Sequence, residues 1–149
     1  MNQQYEDDFY AWTNDQADLL KKKEFERLDM ENLIEEIESL GNSNKFSLES
    51  YLIILLLHKL KLEYHPKNDE YKYNTRSWSI SVGNSEDAIL LIVEYSPSLK
   101  KQLRIILNQA YKKALKKASR ETNLPITTFP KECPWELKKL FPDLEEKYW

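Results

Sequence analysis

Across 149 residues the chain carries only two glycines, Gly41 and Gly83, and no Asn-Gly or Asp-Gly pair. Tight β-hairpins need residues that accept positive φ, and such pairs are their usual source. The apolar residues recur every three to four positions instead of alternating, which is the helical period. Strands therefore have almost no support. The chain reads as all-α, a bundle of four to five helices in one domain over residues 1–149, with the bundle at 5–121 and a proline-rich C-terminal arm at 122–149.

The first helix is expected over residues 7–22, with Phe9, Trp12, Gln16 and Leu19/Leu20 at helical spacing, acids early and lysines late, as the helix dipole prefers. Phe25 and Leu28 pin the turn that follows. Asp29 is a good N-cap for a second helix carrying Leu33, Ile34, Ile37 and Leu40 on one face and Glu31, Glu35, Glu36 and Glu38 around the others. At Gly41 two readings stay open: a C-cap and a new helix start, or one continuous helix, since a helical glycine costs only about 1 kcal/mol. Residues 46–62 are apolar nearly all round, the pattern of a buried helix.

Residues 64–75, with Pro66 and many polar side chains, are expected as a loop. Trp78, Val82, Ser85, Ile89 and Ile92 then mark one helix over 76–95. Ser96-Pro97 is a helix-start signal, and the helix it opens is expected to reach residue 121 with Leu99, Leu103, Ile106, Ala110 and Ala114 inside. Ala110, Ala114 and Ala118 would let a neighbouring helix approach closely. Pro125, Pro130, Pro134 and Pro142 break the remainder, a segment anchored by Phe129, Trp135, Phe141 and Trp149 with one short helix over 134–140.

The single cysteine, Cys133, excludes an internal disulfide and a cysteine-rich zinc site. The N-terminus lacks the basic start and apolar core of a secretion signal, so the chain is expected in the cytoplasm. Its longest apolar run, 51–57, falls far short of the ~20 residues a bilayer span needs. Net charge is −3, divided unevenly: residues 1–50 hold 13 acids against 5 bases, and residues 51–149 hold 12 acids against 17 bases.

Most features that suggest chemistry also have a plain structural reading. Glu35, Glu36 and Glu38 with His58 and His65 invite a metal site, but the positions three and four before each histidine hold no carboxylate, unlike helical di-metal motifs. No metal and no cofactor are expected. A Glu36–His58 acid/base pair is equally remote: a turn near Ser43 would set Glu36 level with Ser50, and a continuous helix would separate the pair by about 33 Å. His58 reads as a semi-buried histidine bonded to Asp29 or Asn32. Cys133 has no base close in sequence and reads as buried or capping. Gly41-Asn42-Ser43 and Gly83-Asn84-Ser85 match no phosphate loop.

The glutamates Glu31, Glu35 and Glu38 repel one another at helical spacing, which implies a basic neighbour. Lys100, Lys101, Arg104, Lys112, Lys113, Lys116, Lys117 and Arg120 form a basic surface on the helix after Pro97. They wrap over half its circumference instead of gathering in a groove-reading stripe, so a solvated face partly neutralised by the acidic helix is preferred to a nucleic-acid surface.

The strings Asp8-Phe9-Tyr10-Ala11-Trp12, Leu28-Asp29, Asn32-Leu33-Ile34-Glu35-Glu36-Ile37-Glu38-Ser39, Ser77-Trp78, Ser96-Pro97-Ser98-Leu99, Phe129-Pro130 and Cys133-Pro134 resemble the bacterial family catalogued as domain of unknown function 29. The resemblance spans nearly the whole chain. It implies a small helical protein of bacterial origin and no particular activity. Leu62, where similar chains tend to have tryptophan, and Gly83-Asn84-Ser85 depart from the pattern.

The expectation that follows is a non-enzymatic protein-interaction or regulatory module. Its candidate binding residues are Tyr10, Trp12, Asn32, Glu35, Glu36, His58 and Trp78, its partner is another protein, no membrane is involved, and self-association stays open. A nucleic-acid-associated protein using the basic helix, and a metal- or acid/base-dependent enzyme built from Asp29, Asn32, Glu35, Glu36 and His58, are the alternatives.

Overall fold

A computed structural model describes residues 2–144. The expected anchor Trp149 lies outside them. Six α-helices and three short 3-10 stretches make up the described residues, and no strand occurs among them. The all-α reading therefore holds.

The chain divides into two compact units, Met1–Ser43 and Asn44–Trp149. In the first, the Asn2 side chain caps α1 (Gln3–Asp7) by accepting the Gln4 N–H at 3.1 Å. Asp8 then caps α2 (Phe9–Lys22) by accepting the Ala11 N–H at 3.0 Å, two residues later than the sequence suggested. Lys21 and Lys22 lie at the carbonyl end of α2, where the dipole favours them. Lys23 stops the helix in the left-handed region, with the Glu24 N–H on the Leu19 carbonyl and its own N–H on that of Leu20. The 3-10 stretch Phe25–Arg27 completes the reversal into α3 (Met30–Tyr64).

α3 passes through Gly41 without a break, which removes the alternative of a turn at Ser43. Its residues from Asn44 onward belong to the second unit, together with α4 (Asp69–Tyr95), α5 (Leu103–Thr122) and α6 (Leu137–Leu140). The loop between α3 and α4 is only four residues, shorter than the expected 64–75. Asn68 accepts the Tyr71 N–H at 3.0 Å, and Asp69 and Glu70 follow in the first turn, so cap and dipole start the helix inside a polar stretch. The Ser96-Pro97 signal also departs from expectation. It opens a 3-10 stretch, Pro97–Gln102, and the Ser96 side chain makes no cap bond there.

The core of the second unit is built from α3 (Leu48, Leu52, Leu55, Leu56, Leu60), α4 (Ile89, Val93) and α5 (Leu103, Ile106), all almost fully buried. Ala110, Ala114 and Ala118 are buried to the last atom, as the close-approach reading required. The C-terminal segment is no freestanding arm. Phe129, Leu137, Leu140 and Phe141 belong to this core, and Tyr111 on α5 donates its hydroxyl to the Pro130 carbonyl at 2.7 Å. Among the described residues no helix is long and apolar enough to cross a membrane.

Candidate functional site

The first unit is organised around one carboxylate. Tyr5, Phe9 and Trp12 fall at steps of four and three, so one side of α1 and α2 presents three rings, with the Tyr5–Trp12 centroids 4.8 Å apart and edge-on. Trp12 is 1% exposed, and its indole N–H donates to Asp29 Oδ2 at 3.0 Å. The same oxygen accepts the Asn32 side-chain amide at 2.8 Å, and the Asp29 backbone N–H donates to buried Gln16 at 2.8 Å. One turn further along α3, Glu36 accepts the Tyr5 hydroxyl at 2.5 Å.

These bonds shift the titration of Asp29 and Tyr5. Asp29 is held below the ordinary carboxylate range, first by the Asn32 amide, then by the indole, the Asn32 backbone N–H and the Asn2 side chain, while burial opposes them. The Tyr5 hydroxyl is pushed up to about 12, chiefly because it donates to Glu36 and ionising it would place a second anion there. A carboxylate whose folded pKa is depressed stabilises the fold fully above its unfolded value of 3.8 and loses that contribution as pH falls through the folded one. Protection factors of the α2 amides, with exchange rates referred to the intrinsic rate at each pH, are therefore expected to fall on acidification below about pH 4. Asp29→Asn should remove that part of the pH dependence, and superimposable profiles would contradict the assignment.

While α3 turns Asn32 and Glu36 toward this knot, its apolar stripe is left bare. Ile34 is 50% exposed, Ile37 66% and Leu40 71%, with Met30, Phe25 and Leu20 also open to solvent. Periodicity carries no warning of this, since an apolar stripe signals that something covers it and not that the chain itself does. The basic neighbour expected for Glu31, Glu35 and Glu38 is also missing: none of the three enters an ion pair among the described residues.

The candidate residues thus separate. Trp12, Asn32 and Glu36 converge, Tyr10 and Glu35 point to solvent, and His58 and Trp78 belong to the second unit. His58 bonds neither Asp29 nor Asn32. Its Nδ1 lies 2.8 Å from the Ile54 carbonyl, which only accepts, so that nitrogen carries the proton, and burial depresses the ring's pKa. Trp78 packs against His65 and Tyr71 with the Lys61 ammonium 5.6 Å from its ring, and Lys61 pairs with Glu121. Tyr5, Asn2 and Gln16 are the members of the knot that sequence reasoning missed.

The eight-cation surface is likewise two elements. Lys100 and Lys101 sit in the 3-10 stretch, and α5 carries Arg104, Lys112, Lys113, Lys116, Lys117 and Arg120 on its exposed side. Within this surface Lys113 pairs with Glu49 at 2.6 Å. Beside it a cleft of about 620 Å³ is lined by Arg104, Leu107, Asn108, Cys133, Trp135, Glu136, Leu137 and Lys138. Burial pushes the Cys133 thiol up, and its sulfur lies 3.5 Å from the Trp135 carbonyl. No group of three or more histidine, cysteine or acidic side chains gathers as a metal site among the described residues.

These features define an all-α protein in which a polar centre joins helix starts and the exposed Ile34, Ile37 and Leu40 lie on one of the same helices. A family model described as "Domain of unknown function DUF29" matches residues 4–149, and the chain belongs to that family. Comparison with curated proteins and with solved structures yields no match.

Proposed function

We propose that this chain is a non-enzymatic interaction module whose first unit presents a docking face. The observation that carries the reading is the exposure of Ile34, Ile37 and Leu40 along one side of α3. Each such side chain forgoes roughly half or more of the about 1.5–3 kcal/mol that full burial contributes, and proteins that work alone in water rarely leave a contiguous apolar stripe uncovered. The polar knot supports it, because Trp12, Asp29 and Asn32 satisfy one another and hold α3 by residues outside the stripe, while Ile34, Ile37 and Leu40 stay exposed. A cytoplasmic setting fits the single cysteine.

A photo-crosslinking residue at position 40 tests this in cells. It should give a discrete crosslinked species that Ile37→Asp abolishes and that a crosslinker at exposed Tyr73 does not produce. Equal labelling from both positions, or none at position 40, would remove the reading.

A further inference from the structure

We infer that the occupant of this face is a basic amphipathic helix of another polypeptide, an assignment that rests on the docking reading above. On α3, at 100° per residue, Met30, Ile34, Ile37, Leu40 and Gly41 occupy an arc of about 120°. Glu31 and Glu38 border one margin of that arc and Glu36 the other. An apolar lane between carboxylates matches a helix that carries apolar residues at i, i+3, i+4 and i+7 and lysine or arginine beside them.

Three further observations point the same way. Glu31, Glu35 and Glu38 have no ion-pair partner among the described residues, so no cation among those residues relieves their mutual repulsion. The whole first unit is acidic, with 12 acids against 4 bases in residues 1–43. Gly41 sits in the helix interior at positive cost, yet a Cβ built there meets nothing within 4 Å, so no close approach inside the chain explains it. A partner backbone crossing at Gly41 does. A second copy is the poorer occupant, because it would set acidic margins against acidic margins.

The test uses the full chain and a fluorescein-labelled 20-residue helical peptide with leucine at i, i+3, i+4 and i+7 and lysine elsewhere. Its controls are the same peptide with glutamate for lysine and a scrambled lysine/leucine peptide. Anisotropy should report binding of the amphipathic basic peptide alone, weakening about fivefold or more as salt rises from roughly 0.1 to 0.5 M. Ile37→Asp with Leu40→Asp adds two negative charges, so diffuse attraction would tighten binding, whereas a docking lane predicts at least a tenfold loss. Glu31→Lys, Glu35→Lys and Glu38→Lys together should produce a comparable loss for the basic peptide. Gly41→Leu should weaken it as well, with helicity by circular dichroism confirming that each exposed-site variant is folded.

Tighter binding by the aspartate variant, or equal binding of the scrambled peptide, would overturn the inference. Equal binding of the glutamate peptide, or a dimer in sedimentation that Ile37→Asp dissociates, would overturn the basic partner but leave the docking face standing. Absence of any peptide binding together with a strict monomer and no crosslink at position 40 would remove both.

Discussion

Replacing Trp12 with alanine is expected to cost about 3–5 kcal/mol, among the largest effects a single change can have in this chain. The ring is almost fully buried, so its removal leaves a cavity against Tyr5 and Phe9, whose centroids lie 4.8 and 5.6 Å away. It also takes one donor from Asp29, whose carboxylate depends on several N–H groups in this partly dry setting. Trp12→Phe separates the two effects. It keeps much of the ring area and loses only the donor, for an expected cost of about 1–3 kcal/mol. A double-mutant cycle with Asp29→Ala should show coupling of about 0.5–3 kcal/mol, read from denaturant unfolding and from amide exchange in Phe9–Lys22. Near-neutral Trp12→Ala, or additive single changes, would mean that the knot does not hold the unit together.

The knot was partly legible in advance, and the reason it was not read fully is geometric. Asp29 was recognisable as a cap, and Trp12 and Asn32 as candidate binding residues, with Asp29 or Asn32 expected on His58 and not on Trp12. What escaped was the pairing across the first reversal, although Phe25 and Leu28 marked the turn itself. A turn near Ser43 makes residues summing to 86 level, but the actual reversal lies at residues 23–28. There Trp12 meets Asp29 and Tyr5 meets Glu36, both pairs summing to 41. Lys23 hides the turn, since a left-handed position is usually announced by glycine or asparagine. Asn123, which ends α5 in the same conformation, is the readable version.

Periodicity was reliable where a helix face meets its own chain. Leu99, Leu103, Ile106, Ala110 and Ala114 are all buried, and the α4 stripe runs through Gly83 to bury Trp78, Ser85 and Ile89. It was uninformative about what covers a face, which is why Ile34, Ile37 and Leu40 could be read as amphipathic but not as bare. Composition misled at residues 69–75, where polar side chains on a solvent-facing helix look like a loop until the Asn68 cap is taken into account.

The second large effect concerns the C-terminal segment. Phe141→Ala is expected to destabilise the second unit by about 3–5 kcal/mol, because Phe141 is 1% exposed and belongs to the same core as Leu56 and Ile106. Phe141→Leu, which keeps most of the volume, should cost about 1 kcal/mol. Ending the chain at residue 123 goes further. It removes Phe129, Leu137 and Leu140 with Phe141, and it strips Tyr111 of its Pro130 acceptor, leaving a nearly buried hydroxyl without that partner. Burial already pushes that hydroxyl's pKa well above the ordinary tyrosine value, so the site tolerates the neutral, hydrogen-bonded phenol and little else. The shortened chain should melt without a cooperative transition and bind a hydrophobic dye. If it instead melted like the full chain, proline content alone would describe the segment, and the core of the second unit would close on α3, α4 and α5 without it.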